Sequence, residues 1–313
     1  MSVNKEQDLV LITGASGKQA SHIIPLLYGK WKRLRLAVNS KSSLERLEKQ
    51  YPDAEVTQVN MAEPFDCRCI MKDVTAVIQI GPSFHPHETE INYNVIDAAI
   101  EESKNGNFKH IIFSSVLNTQ LRKMMNHDCK RYVEEYLMES GLNYTILQPT
   151  HFMDTLMFQV SSLMQQEQPV YKANFDPTVP FSFIALKDLG EAFATVLNDR
   201  EKHYFAQYPL CSTMPIPYTT MIQTISKGIG KEIKIEKREY KEAVKAMLTM
   251  LFGGTEGVDP RTRDAAQRML LFYDNRGLIG NPNVLEWLIG RKGTGAEELT
   301  KVHVEKAKSG GGK

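Results

Sequence analysis

Short, continuous apolar runs alternate along the first half of the chain with stretches that repeat apolar residues at helical spacing. The runs at 9–12, 34–38, 55–59, 74–80, 110–113 and 144–147 read as strands. The stretches at 20–28, 42–51, 67–72, 87–103 and 129–140 read as helices between them. In 87–103, Ile91, Val95, Ala98 and Ala99 fall on one helical face. This rhythm predicts an α/β fold, a doubly wound parallel sheet with helices on both faces. Pro25 lacks an amide proton inside the first helix, which predicts a kink or an early end there. Gly141 is the C-cap of 129–140, and Pro149 stops the sixth strand. Beyond residue 150 the pattern is less regular. Residues 152–166 read as a Met-rich helix, 187–198 as a helix covering the sheet, and Gly253, Gly254 and Pro260 as a loop. The Gly-rich tail 309–313 reads as a disordered end or an expression remnant.

The strand-to-helix order places the candidate chemistry. The first strand runs into Thr13-Gly14-Ala15-Ser16-Gly17-Lys18-Gln19-Ala20. Gly14 permits a sharp turn, Gly17 leaves room for phosphate oxygens, and Ala20 allows close contact between helix and strand. Main-chain amides and the helix N-terminus then face an anion. Gly14, Ser16, Gly17, Lys18 and Gln19 are therefore the candidate ligands of a dinucleotide pyrophosphate. The second strand ends in Asn39-Ser40-Lys41, with no acid before Glu45. A carboxylate here would grip a ribose 2′-hydroxyl; hydroxyls and a Lys suit a 2′-phosphate, which favours NADP(H) over NAD(H). A Ser at this point also suits an N-cap. Asn60 and Met61 follow the third strand and fit the edge and face of adenine. Ile80, Gly81 and Pro82 follow the fourth and would let the backbone approach ribose or nicotinamide.

Composition narrows the field. The chain has 313 residues, 42% of them hydrophobic, enough for a sizeable core. Lys and Arg total 38 against 37 Asp and Glu, a balance that gives no pull toward nucleic acid or a membrane surface. No apolar run is long enough to span a bilayer, and residues 1–8 lack a signal-peptide core, which points to the cytoplasm. Cys67, Cys69, Cys129 and Cys211 lack zinc spacing and read as free thiols. His85 and His87 flank Pro86 after the fourth strand and could line the pocket, but they lack a third ligand, so no metal is expected. The mixed charges of 227–245 read as a solvated face. Met153, Met157, Met164, Met247, Met250 and Met269 read as core filler, or with Phe152, Phe158 and Phe181 as the wall of an apolar substrate cavity.

The glycine turn, Phe113-Ser114-Ser115, Lys130 to Leu137, Gln148 to Met153, Leu186 to Ala192, Phe272 to Pro282 and Val284 to Gly290 together resemble the NmrA-like family of atypical short-chain dehydrogenases/reductases. The resemblance implies an NADP-binding Rossmann domain at 1–150. It implies a smaller α+β substrate-side domain at 151–308, partly interleaved with the sheet. It leans toward a fungal-type member acting in secondary metabolism. It also implies that Lys130 bonds the nicotinamide ribose and that Pro149, Thr150, His151 and Phe152 lie near the carboxamide; Ser114, at the end of the fifth strand, is a further candidate for contact with cofactor or a substrate carbonyl.

One departure bears on the chemistry. Conventional members of the superfamily place a proton-donating Tyr four residues before the Lys; here that position is Asn126. Lys130 shares a face with Val133 and Leu137, so it points inward or toward the cleft. Ser115 is a candidate partner for a substrate carbonyl, and His151 and His127 are candidate proton donors. Each has a plain alternative: a strand-end Ser bonding backbone, or a packed His. The expected function is an NADP(H)-dependent oxidoreductase for a small apolar or aromatic carbonyl, enone or imine. The alternatives are a non-catalytic NADP(H) sensor that binds partner proteins, and a redox-neutral isomerase or dehydratase.

Overall fold

The structure, a computed structural model, describes residues 3–310. The tail expected at 309–313 therefore lies partly outside the described residues; Ser309 and Gly310 close the last helix as a turn. The chain divides into two units. The first comprises 1–120, 127–149 and 189–209, the second 121–126, 150–188 and 210–313.

In the first unit the predicted alternation is present. In chain order it is β1 Leu9–Ile12, α1 Ala20–Leu27, β2 Arg33–Val38, α2 Lys41–Gln50, β3 Glu55–Gln58, α3 Pro64–Met71, β4 Ala76–Gln79, α4 Glu88–Ser103, β5 His110–Ser114, α5 Met125–Glu139 and β6 Tyr144–Pro149. These strands pair in parallel in the order β3-β2-β1-β4-β5-β6. A seventh strand, Ala206–Leu210, lies beside β6 and has no counterpart in the sequence reading. Chain order reverses between β1 and β4, the switch point at which such sheets open a crevice. β1 and β4 are buried along their whole length, as strands covered on both faces must be. Ile91, Val95, Ala98 and Ala99 are all buried on α4.

Local chemistry explains the differences from expectation. α1 runs through Pro25 to Leu27 and the Tyr28 amide still reaches the Ile24 carbonyl, so the helix does not end at Pro25 as expected; the missing amide would have paired upstream with Ser21, in the first turn. α5 begins at Met125, not near 129, which sets Lys130 in its second turn. Pro149 is the last residue of β6 and its carbonyl still accepts from Leu117.

The second unit carries three two-stranded pairings: His151–Phe152 with Phe183–Ile184, Val170–Ala173 with Lys234–Lys237, and Pro180–Phe181 with Ile216–Pro217. The single Met-rich helix expected at 152–166 is instead two short ones, Asp154–Met157 and Val160–Gln165. Asp154 uses its carboxylate to accept the amide of Leu186, which fixes the start of helix Leu186–Asn198. Met153, Met157 and Met247 are core residues, but Met250 is 71% exposed and Phe158 51%, so neither is core filler. All four cysteines are free, and burial pushes the Cys67 and Cys211 thiols up to about 12, so both stay protonated.

Candidate nucleotide site

The turn after β1 is built around a conformation that suits glycine. Gly14 has φ +57°, and a Cβ there would lie 2.9 Å from the Ile80 carbonyl oxygen. Thr13 clasps the neighbouring strand: its hydroxyl donates to the Ile80 carbonyl (3.1 Å) and accepts the Ile80 amide (2.8 Å). Gly17 returns its amide to the Gly14 carbonyl (2.9 Å), and Ala20 is fully buried where α1 meets the sheet. The result is a compact bend whose amides and helix N-terminus lie at the sheet's carboxyl edge.

A groove of about 780 Å³ opens from this bend along the ends of β1, β2, β3 and β4. Of the residues proposed from sequence, Gly14, Ser16, Gly17, Asn39, Asn60, Met61, Ile80, Gly81 and Pro82 line it. His85, expected after the fourth strand as a candidate pocket residue, lines it too, and Gln58, Asp66 and Ile91 line it without having been anticipated. Asp66 accepts the Asn60 amide (3.1 Å), and Asn60 in turn accepts the Ala62 amide (3.2 Å), so the wall after β3 is a self-supporting turn. The Asn60 side-chain oxygen is thus already engaged. Gly81 is a close-approach glycine, because a Cβ would sit 2.5 Å from the Asn92 amide group.

Ser40 and Lys41 stand outside the lining. Ser40 is the N-cap of α2, its hydroxyl accepting the Ser43 amide (3.3 Å). Lys41 is exposed and pairs loosely with Glu45 at 3.9 Å. A cation that reaches the turn is Arg46, further along α2, whose guanidinium donates to the Ser16 carbonyl (3.3 Å). Lys18 is exposed on the turn, while Gln19 receives the Ser114 hydroxyl (2.7 Å) and ties β5 to the glycine bend.

The candidate catalytic residues of this unit are bound to other partners. Lys130 is buried and faces inward with Val133 and Leu137, as expected, and its ammonium lies 2.8 Å from the Glu88 carboxylate. The second oxygen of Glu88 accepts the Phe84 amide (3.0 Å), so one carboxylate joins Lys130 to the segment that follows Pro82. Ser115 donates to buried Glu134 (2.5 Å), which also accepts from Thr119 and Gln148 (both 2.8 Å). The Ser115 proton is therefore committed to a structural clamp. His127 is buried, bonds the Asn118 carbonyl (3.3 Å), and is held by burial at about 4. It is neutral near pH 7, and its packing follows the plain alternative.

In the second unit, Thr150 donates its hydroxyl to the Ser182 carbonyl (3.1 Å) and its amide to the Leu210 carbonyl (3.1 Å). His151 bonds Tyr218 (2.6 Å) in an aromatic cluster, and Phe152, beside it in the same short strand, is partly exposed. Among the described residues no cluster of His, Cys, Asp or Glu is arranged to hold a metal. No helix there is long and apolar enough to cross a membrane.

Known proteins share this architecture. A triphenylmethane reductase of Citrobacter sp., solved with NADP(H), superposes with a TM-score of 0.77 at 18% identity, over 94% of this chain and 99% of that one. An NADPH-dependent quinone oxidoreductase of Escherichia coli, solved with NADPH, gives 0.75 at 19% identity, over 94% and 99%. NmrA, a negative transcriptional regulator solved with NADP, gives 0.76 at 16% identity, over 98% of each chain. In sequence, the chain is 21% identical to the prestalk A differentiation protein A of Dictyostelium discoideum over 241 residues, 75% of each protein. The NmrA-like family profile matches residues 6–302, so this chain belongs to the NmrA-like family.

Proposed function

We propose that the chain binds NADP(H) in the strand-end groove and passes hydride to a small apolar or aromatic carbonyl, enone or imine. The observation that carries this is the Gly14 bend, pressed against Ile80 at the head of a groove that follows four strand ends. A side chain at Gly14 would collide with the Ile80 carbonyl and force open the bend whose amides would hold a pyrophosphate. The 2′-phosphate reading draws on two features: the absence of an acid at Asn39-Ser40-Lys41, and the reach of Arg46 to Ser16. Arg46 would meet the phosphate beside Asn39, and Gly14, Ser16 and Gly17 would hold the pyrophosphate. The nicotinamide, when bound, supplies the hydride; the chain's own part is to hold, orient and exclude water. The solved neighbours that carry NADP(H) support the same choice.

A second reading is favoured by one specific observation. In the first unit the Ser115 proton is taken by Glu134, Lys130 is paired with Glu88, and His127 is buried and neutral. A unit that binds nucleotide with its proton donors so committed fits a sensor, as does the likeness to a transcriptional regulator. Titration with NADPH and NADH, followed by turnover on a panel of ketones, enones and imines, separates the two. NADPH binding with turnover supports the reductase. NADPH binding with none supports the sensor, and no binding of either nucleotide overturns both.

A further inference from the structure

The second unit holds a polar pair in an aromatic setting. His151 Nε2 lies 2.6 Å from the Tyr218 hydroxyl. The imidazole is ringed edge-on by Phe181 (5.6 Å), Phe183 (5.9 Å), Tyr218 (5.8 Å) and Tyr273 (5.9 Å). Phe175 closes the cluster against Phe181, Tyr218 and Tyr273. Phe181, Phe183, Tyr218 and Tyr273 are buried, whereas His151 and Phe175 are partly exposed.

The bond fixes which nitrogen carries the proton. If Nε2–H donated to Tyr218, the phenol proton would be left without an acceptor among apolar rings, at a desolvation cost. Tyr218 therefore donates and Nε2 accepts, which puts the proton on Nδ1. Nδ1 makes no hydrogen bond among the described residues. Burial holds the imidazole down to about 4 and the phenol well above its ordinary value, so neither carries charge at neutral pH.

Building on the reductase reading, we propose that His151 and Tyr218 form a recognition site for a flat aromatic ligand bearing a neutral acceptor oxygen. Nδ1–H of His151 donates to that oxygen, Tyr218 holds the tautomer, and the ring of Phe175 offers a face to the ligand. Tyr218 is a positioning residue here, and no bond to the ligand is made or broken. A neutral aromatic environment excludes a carboxylate or phosphate, which would be desolvated without a counter-charge.

The test uses the full chain and two probes of one shape, 2-acetylnaphthalene and 2-ethylnaphthalene, which differ in the acceptor oxygen. The native protein should prefer the ketone by about 3- to 10-fold, the worth of one neutral hydrogen bond. Long-range ¹H–¹⁵N spectra should show His151 protonated at Nδ1. Tyr218→Phe should move the proton to Nε2 and reduce the preference, and His151→Phe should abolish it. Equal binding of the two probes by native protein, or an Nε2–H tautomer there, would overturn the site. If His151→Phe does not fold, the native tautomer and Tyr218→Phe still decide it. NADPH titration of the same samples keeps the two readings apart. No ketone preference with NADPH bound sinks this site alone, and ketone preference without NADPH binding sinks the reductase reading alone.

Discussion

The pairing of Lys130 with Glu88 yields a sharp test, because the resemblance assigns Lys130 to cofactor and the structure gives it a buried partner. The side chains are 10% and 2% exposed and 2.8 Å apart. Removing one member leaves the other charge desolvated, at a cost of about 3–5 kcal/mol. Glu88→Leu strands the ammonium above the Phe113 ring and also frees the Phe84 amide, so it falls at the upper end. Lys130→Met leaves a carboxylate still bonded to Phe84, so it falls nearer about 3 kcal/mol. The double replacement removes both charges and should cost less than either single change, which implies a coupling of about 3 kcal/mol or more. Urea unfolding followed by tryptophan fluorescence measures this well. Trp31 is buried in the same unit and Trp287 is 65% exposed, so the intensity change reports mainly on the unit that holds the pair. Additive single effects, with coupling below about 0.5 kcal/mol, would refute the claim that the pair is a buried structural unit. NADPH affinity measured on the double variant then asks the separate question of the ribose. Retained affinity would leave Lys130 a structural role only.

Four further outcomes follow from named contacts. Arg46→Ala should weaken NADPH binding about tenfold, the lower end for a charge-assisted bond at an exposed site, and leave NADH unchanged in paired titrations. Asp188→Ala should destabilise the second unit by about 3–5 kcal/mol, read as a lowered melting temperature. Its buried carboxylate accepts from Ser212, Arg291 and both the amide and hydroxyl of Thr294. Gly190→Ala should lower the melting temperature, since the added Cβ would sit 2.4 Å from the His22 carbonyl of α1. Stability should fall as pH drops from about 6.5 toward 4, because His110, His127 and His151 are held by burial at about 3, 4 and 4 while the unfolded chain binds their protons first. The loss at pH 5 should approach about 2 kcal/mol per histidine. A flat melting temperature across that window would contradict it.

The sheet was legible because each strand is a short apolar run between punctuation that has one physical meaning. Gly14, Gly141 and the cap at Ser40 acted as their chemistry requires. The small paired strands of the second unit were not legible. His151–Phe152 and Phe183–Ile184 are two residues long, and nothing in so short a segment distinguishes a strand from a loop. The groove was half legible. Residues at strand ends line it, because parallel topology puts strand ends together; Asp66 on α3 and Ile91 on α4 join it from helices whose placement over the strand ends only tertiary contacts set.

The candidate donors show why residue type alone could not settle the chemistry. Ser115, Lys130 and His127 are the types that move protons, yet each is held by a partner far from it in sequence or by burial. Glu134 lies 19 residues from Ser115, and Glu88 sits on the preceding sheet-covering helix. Spacing reveals which residues share a face, and so it found the inward turn of Lys130. It does not reveal what waits on the other side. A hydroxyl that donates to a buried carboxylate can still accept a bond from a ligand, but it has no proton to give without breaking its own clamp. Ser115 can therefore deliver a proton to a substrate only from a rearranged clamp; otherwise the proton has to come from water or from another group of the groove, such as His85. Ser115→Ala separates these: turnover that survives it points away from the clamp, and turnover that falls while NADPH affinity holds points to it.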